Sequence, residues 1–344
     1  MAPRVKGLTY VTDEIPGIRR IARGSGFTYR WPDGRPLKDE AELARIRSLA
    51  IPPAWRDVWI SPRPHGHLQA TGRDARGRKQ HRYHPRWNAV RDEAKYSRIV
   101  AFAEALPALR RRSQADLLRR GLPHQKVVAT VVQLLERTLI RIGNDEYARH
   151  NRSFGLTTIQ DRHASIAGAA IRFRFRGKSG KRHDVTLADP RLARIVRNCQ
   201  ELPGSQLFQY VDRDGRVRDI TSSHVNAYLR AAMGHTFTAK DVRTWAGTVL
   251  AAQALDELGR SAVDRDVVQA VDAVSQVLGN TRAVCRRCYV HPAIVDAHKD
   301  GTLARALHPR APRRPVRING LSALEAAVLG LLQRRLKGEA KRAA

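Results

Sequence analysis

Five short fragments hold the residues best suited to chemistry, and they follow one another along the chain. Arg141-Ile-Gly comes first, then Gly177-Lys178, then Lys240-Asp-Val-Arg243-Thr, then Leu278-Gly-Asn280-Thr, and last Cys288-Tyr289. Two arginines, a lysine and a tyrosine suit transesterification at a phosphodiester. That reaction passes through a pentacoordinate state with extra negative charge on the nonbridging oxygens. Arginine stays charged and can fork two N–H groups onto phosphate oxygens. A phenol, with an ordinary pKa of about 10, is a weak nucleophile until nearby cations favour the phenolate. A phosphotyrosine would keep the bond energy of the phosphodiester, so resealing would need no ATP. Each residue alone means little. One arginine in a basic chain is a solvated charge, one tyrosine among eight is packing, and Lys178 is a turn residue. Their order and spacing together carry the reading.

The elements that must position them can be read from periodicity. Val128, Val131, Val132, Leu135 and Leu139 mark one face of a helix that starts near Pro123. Ile171, Phe173 and Phe175 alternate with Arg172, Arg174 and Arg176, which predicts a strand with one apolar and one basic face. Gly177 to Gly180 then reads as a turn and Lys181 to Leu187 as the return strand, so Lys178 sits at a hairpin tip. Val242, Trp245 and Val249 mark a helix near Lys240, with Thr238 as N-cap. Lys240 precedes Arg243 by about one turn and can share its face. Ser322 and Glu325 have capping-box spacing ahead of a helix to about Leu336, followed by a basic, frayed tail from Lys337.

The fold class expected is α+β. Residues 1–90 read as a small β-rich domain, with strands over Asp57–Ser61 and Gly66–Thr71 between Pro/Gly turns. Residues 91–344 read as a larger, mainly helical domain, helical from about residue 92 and interrupted by the hairpin. His308 to Arg317, rich in proline and arginine, reads as a linker.

The charge indicates the partner. Lys and Arg number 63 against 32 acids, a net +31 over 344 residues. That surplus repels itself unless a polyanion offsets it, and it runs the whole length instead of forming one amphipathic face. A nucleic acid is therefore expected, and no membrane. The turn from Gly72 to Arg82 is densely basic and could lie along a phosphate backbone. Arg73, Arg76, Arg78, Lys79 and Arg82 are its candidate DNA contacts, with Gln69 just before it and Lys240 in the helical part. No apolar run reaches the roughly 20 residues of a membrane span, and Met1 to Ile15 lacks a signal-peptide core. Cys199, Cys285 and Cys288 are too few for a disulfide framework, which fits a reducing cytoplasm.

Three other motifs are set aside. Gly177-Lys178-Ser179 resembles the end of a P-loop, but position 172 is Arg where that loop needs Gly, and a hairpin is the wrong context. Cys285-Arg-Arg-Cys288 with His291 has partial zinc spacing but no second pair, so packing beside Tyr289 is the reading, with no metal. His65, His67, His81 and His84 lack companion carboxylates and read as surface residues or DNA contacts.

The five fragments resemble the type IB topoisomerases of poxviruses and bacteria, and Ile51-Pro-Pro-Ala-Trp55 to Gln80 resembles their small domain. The likeness spans nearly the whole chain. It implies that the two domains form a clamp around double-stranded DNA and that Tyr289 is the nucleophile, linked to the 3′ end. It implies that Arg141 and Arg243 clamp the phosphate and that Lys178 is the general acid for the 5′ hydroxyl. Lys240 becomes an auxiliary contact or part of the proton relay. Relaxation of supercoils of either sign would then need no cofactor, metal, ATP or protein partner, and one chain suffices. The expected place of action is the bacterial nucleoid. Asn280 departs from the poxvirus pattern, which has His there. Asn still donates a hydrogen bond but cannot carry charge. Tyrosine recombinases resemble the same pocket, but usually have His where Lys240 stands and a helical N-terminal domain. A DNA-architectural protein would have no use for a tyrosine aligned with two arginines.

Overall fold

The computed structural model describes residues 5–24, 26–75, 77–234, 237–259, 264–308 and 320–343. The chain divides into two compact units, Met1–Tyr96 and Ser97–Ala344. No helix among the described residues is long and apolar enough to cross a membrane.

The first unit is an antiparallel sheet with one short helix. Its elements are β1 (Ile18–Arg23), β2 (Gly26–Arg30), α1 (Glu40–Ser48), β3 (Arg56–Ile60), β4 (Leu68–Arg73) and β5 (Lys79–Tyr83). The strands lie in the order β2-β1-β3-β4-β5. Asp39 caps α1, its carboxylate accepting from the backbone N–H of Ala41 at 2.9 Å and of Glu42 at 3.2 Å. Ile46 on α1 packs with Ile18, Leu37, Val58, Ile60 and Ala70 to form the core of this unit. A second cluster gathers Val11, Trp59 and Leu68.

Helix α2 (Pro85–Leu117) begins at a proline, which fits the first turn because its missing N–H would be unpaired there anyway. Helicity thus starts before residue 92. Next come α3 (His124–Thr138) and α4 (Asp145–Asn151). A three-stranded antiparallel sheet follows, of β6 (Ala164–Ala167), β7 (Ala170–Arg176) and β8 (Arg182–Ala188), so the expected hairpin gains a strand. Along β7 the apolar residues are buried and the arginines exposed. Then come α5 (Pro190–Gln200), the two-strand pair β9 (Gln209–Val211) and β10 (Val217–Asp219), and α6 (Ser222–Met233). The remaining helices are α7 (Ala239–Glu257), α8 (Asp264–Leu278), α9 (Arg282–Cys288), α10 (Pro292–Lys299), α11 (Thr302–Leu307) and α12 (Ala323–Ala343).

Local signals account for several of these boundaries. The backbone N–H and hydroxyl of Thr238 donate to Asp241 at 2.8 and 2.9 Å, which anchors the start of α7. Arg98 on α2 adds an ion pair to Asp241 at 3.0 Å. At α12 the capping box forms as expected. Ser322 N donates to Glu325 at 2.8 Å, and Glu325 N donates to the Ser322 hydroxyl at 3.1 Å. The tail is not frayed from Lys337: α12 runs on to Ala343, where Glu, Ala, Lys and Arg favour the helix despite Gly338. Residues 309–317 of the expected linker lie outside the described residues. His308 pairs with Asp256 at 2.7 Å.

One polar cluster ties α12 to the core. Arg110 on α2 donates from both terminal nitrogens to Glu325 at 2.8 Å and from Nε to Glu136 on α3 at 3.0 Å. The Trp245 indole on α7 donates to the same Glu325 at 3.3 Å. Glu325→Ala would leave Arg110 and Trp245 short of an acceptor in a largely buried place. It is expected to lower stability by about 3 kcal/mol, read as a drop in the urea midpoint at unchanged m-value; no drop would show that the cluster adds nothing.

Candidate active site

The pocket is built around a buried cation. Arg243 stands one turn into α7 and is 4% exposed. One terminal nitrogen donates to the Leu139 carbonyl and the other to the Leu278 carbonyl at 2.8 Å. Leu139 ends α3 in a left-handed conformation, φ 54°, which turns its carbonyl off the helix and toward the guanidinium. Leu278 is the last residue of α8. The ends of two helices therefore hold the cation by unpaired backbone carbonyls, as helix C-termini do. Burial, and next the neighbouring Arg141, push the Arg243 guanidinium below its ordinary pKa. Its Nε is buried with no hydrogen-bond acceptor in position.

Arg141 follows α3 in an irregular segment and is half-buried. Its guanidinium reaches the Gly279 carbonyl at 3.4 Å and also donates to Asn280 Oδ1. Burial lowers its pKa as well. Asn280 is 5% exposed, in the turn between α8 and α9. With Oδ1 taken by Arg141, the amide is oriented with Nδ2 as the spare donor. Nδ2 is buried and finds no oxygen or nitrogen acceptor, with the Cys285 thiol as its neighbour.

Tyr289 sits at the C-cap of α9, half-buried. Its ring lies 5.4 Å, centroid to guanidinium carbon, from Arg243. Thr248 on α7 donates its hydroxyl to the Tyr289 carbonyl at 3.3 Å. Gly247 lets the segment come this close, because a β-carbon there would lie 2.8 Å from the Tyr289 oxygen. Cys285 is fully buried one turn before Tyr289, and burial raises its pKa, so the thiol stays protonated. Cys285 and Cys288 are free thiols. Among the described residues no group of three or more His, Cys, Asp or Glu is placed to hold a metal.

Arg141, Arg243, Asn280 and Tyr289 thus come together, although the first and the last are 148 positions apart in the sequence. Lys178 is exposed at the hairpin tip, as expected. Its hairpin reaches the pocket through Lys181, which donates to the Asn280 carbonyl at 2.8 Å. Lys240 is exposed on the first turn of α7, while Arg243 points inward. The sequence did not single out Gly247, Thr248, or the carbonyls of Leu139 and Leu278. The spacing of Gly247, four after Arg243, was a signal for the first of these.

The N-terminal contact candidates divide. Arg73, Arg78 and Lys79 are exposed or partly so, with acidic neighbours at Asp57, Asp74 and Asp13. Arg82 reaches the Ala50 carbonyl at 2.8 Å. Arg76 lies outside the described residues. Gln69 does not fit the expectation of a DNA contact. It is 2% exposed; Arg45 holds its oxygen and its nitrogen donates to the carbonyls of Pro64 and Gly66 at 3.0 and 2.7 Å. Its polar atoms are spent inside the unit. His67 is likewise no surface residue. Its Nδ1 accepts from Val11 N at 3.1 Å, and its ring stacks on Tyr10 at 3.9 Å.

Two arginines and an amide thus lie around a tyrosine, with donors suited to an anion. Residues 84–305 match the family described as eukaryotic DNA topoisomerase I, catalytic core. Residues 26–74 match the bacterial DNA topoisomerase IB N-terminal domain. The chain belongs to the type IB DNA topoisomerases: it is an isomerase that acts on DNA. A relative in Acanthamoeba polyphaga mimivirus, DNA topoisomerase 1B, is 30% identical over 287 residues, covering 80% of this chain and 85% of the viral one.

The approach of Gly247 to Tyr289 can be tested. Gly247→Ala is expected to move Tyr289 and slow plasmid relaxation by about 10- to 100-fold, with duplex binding kept. Unchanged relaxation would mean the segment shifts without consequence.

Proposed function

We propose that Tyr289 cuts one strand of duplex DNA, becomes linked to the 3′ end, and reseals the strand after the free 5′ end has rotated. The phenol oxygen forms a bond to phosphorus as the bond to the 5′ oxygen breaks, and the 5′ hydroxyl later reverses the step. The observation that carries this reading is the pair of buried, unspent donors, Arg243 Nε and Asn280 Nδ2, beside Tyr289. A buried donor without an acceptor is costly. A nonbridging phosphate oxygen would satisfy both.

Arg141 and Arg243 stabilise the charge that gathers on those oxygens. Preorganised donors of this kind are typically worth about 10²–10³ in rate each. Asn280 donates a neutral hydrogen bond in the same place. Lys178 reaches in from the hairpin tip with its side chain and protonates the 5′ oxygen as it leaves. Lys240 is an auxiliary phosphate contact. Arginine and lysine supply the charge and the proton, so neither metal nor ATP enters the scheme. The two units close on the duplex as a clamp, with Arg73, Arg78, Lys79 and Arg82 on the phosphate backbone. The net charge of +31 supports that partner. The domain division proposed is a DNA-gripping unit to about residue 90 and a catalytic unit beyond it. One chain acts alone, on the nucleoid.

The test is relaxation of positively and negatively supercoiled plasmid with EDTA present and ATP absent. Wild type is expected to relax both, and Tyr289→Phe neither, while still binding duplex. Covalent adducts from the Phe variant would place the nucleophile elsewhere. Binding should also weaken steeply with salt, as phosphate contacts release counterions.

A further inference from the structure

The Lys178 hairpin and the Gly279–Asn280 turn meet on one side chain to which the scheme above gives no part. His183 on β8 pairs across the strands with Phe175 on β7. The two rings stack, with centroids 4.9 Å apart and planes 7° from parallel. The edge of the imidazole reaches both turns. A β-carbon on Gly177 would lie 2.6 Å from His183 Nε2, and one on Gly279 would lie 2.9 Å from Cε1. Gly177 has φ −97°, a conformation open to any residue, so its backbone does not call for glycine. What glycine supplies there is room for the imidazole. Gly279, at φ +59°, is glycine for its conformation as well. Lys181 to the Asn280 carbonyl is a second tie across the same gap. Burial first, then Arg141, Arg243 and Lys181, hold the imidazole below the ordinary histidine range. The ring is therefore neutral at neutral pH and adds no charge to the pocket.

We infer that His183 is a positioning residue: its ring, stacked on Phe175 and wedged between Gly177 and Gly279, sets the Lys178 hairpin at a fixed place against the Asn280 turn. The inference rests on the reading of Lys178 as the general acid. Lys178 directly follows Gly177, so a hairpin that settles differently on the turn carries the ammonium away from the 5′ oxygen. Arg243 would be little affected, because its own partners are the Leu139 and Leu278 carbonyls.

His183→Ala and Gly177→Ala should be made singly and together, with Lys178→Ala alongside. Single-turnover cleavage is then measured on a duplex with an ordinary phosphodiester and on one with a bridging 5′-phosphorothiolate, whose sulfur leaves without needing a proton. His183→Ala is expected to slow cleavage of the ordinary duplex by about tenfold to 100-fold. Most of that loss should vanish on the phosphorothiolate. Gly177→Ala, whose methyl would strike the ring, should show the same contrast and add little on top of His183→Ala. Equal loss on both substrates, or additive losses from the two substitutions, would overturn the inference. If His183→Ala fails to fold, Gly177→Ala decides by the same two-substrate contrast. Lys178→Ala separates the two claims. If its own defect is not rescued by sulfur, the general-acid reading falls, and the non-additivity of Gly177→Ala and His183→Ala alone decides whether His183 braces the hairpin.

Discussion

A guanidinium that cannot give up its charge is held 4% exposed in the interior of the larger unit. Much of the architecture around Arg243 is arranged to make that tolerable. Burying a charge costs several kcal/mol unless it is hydrogen-bonded. Here the partners are two backbone carbonyls, those of Leu139 and Leu278. To supply them, α3 must stop in a left-handed residue and α8 must stop at Leu278, both within reach of the first turn of α7. The same stop at Leu278 leads into Gly279 and Asn280, which Arg141 takes up. Binding the cation and shaping the pocket are thus one geometric problem. Carbonyls are well suited to it: they hold the cation without neutralising it, so its charge remains available to a phosphate.

Helix α7 carries this arrangement outward. Its inner side presents Arg243, Gly247 and Thr248 to the pocket and to the Tyr289 segment. Trp245 on the same helix joins Glu325 and, through it, Arg110. The N-terminus of α7 is fixed by Asp241, which also receives Arg98. A single helix thus fixes the Tyr289 backbone and docks the last described helix.

Much of this was legible in the sequence, and the parts that were not share a cause. The cap at Thr238, the Ser322–Glu325 box, the helix after Pro123 and the hairpin at Lys178 are local signals written within a few residues. That Arg141, Arg243, Asn280 and Tyr289 lie together was legible in their types and order, because side-chain chemistry shows in the sequence. The partners of Arg243 were hidden because a carbonyl leaves no mark on residue type. Gly247 and His183 were passed over because their work is spatial, with partners about 40 and 100 residues away. Gln69 was misread for a related reason. A polar residue beside a basic turn looks available, yet β4 is buried along nearly its whole length and Arg45 meets Gln69 from α1. The basic tail looked frayed by its charge, while its helix formers prevailed.

Asn280 has a further consequence. Arginine does not lose its proton in proteins, and an amide does not titrate. The His183 imidazole beside them is held below the ordinary histidine range by burial first, then by Arg141, Arg243 and Lys181. On the proposed reading, the side chains that grip a phosphate therefore keep a constant charge around neutral pH. A histidine at position 280 would have made that grip rise and fall with acidity. With asparagine, on the same proposed reading, the grip itself does not titrate, and acidity acts through the groups that exchange protons with the DNA.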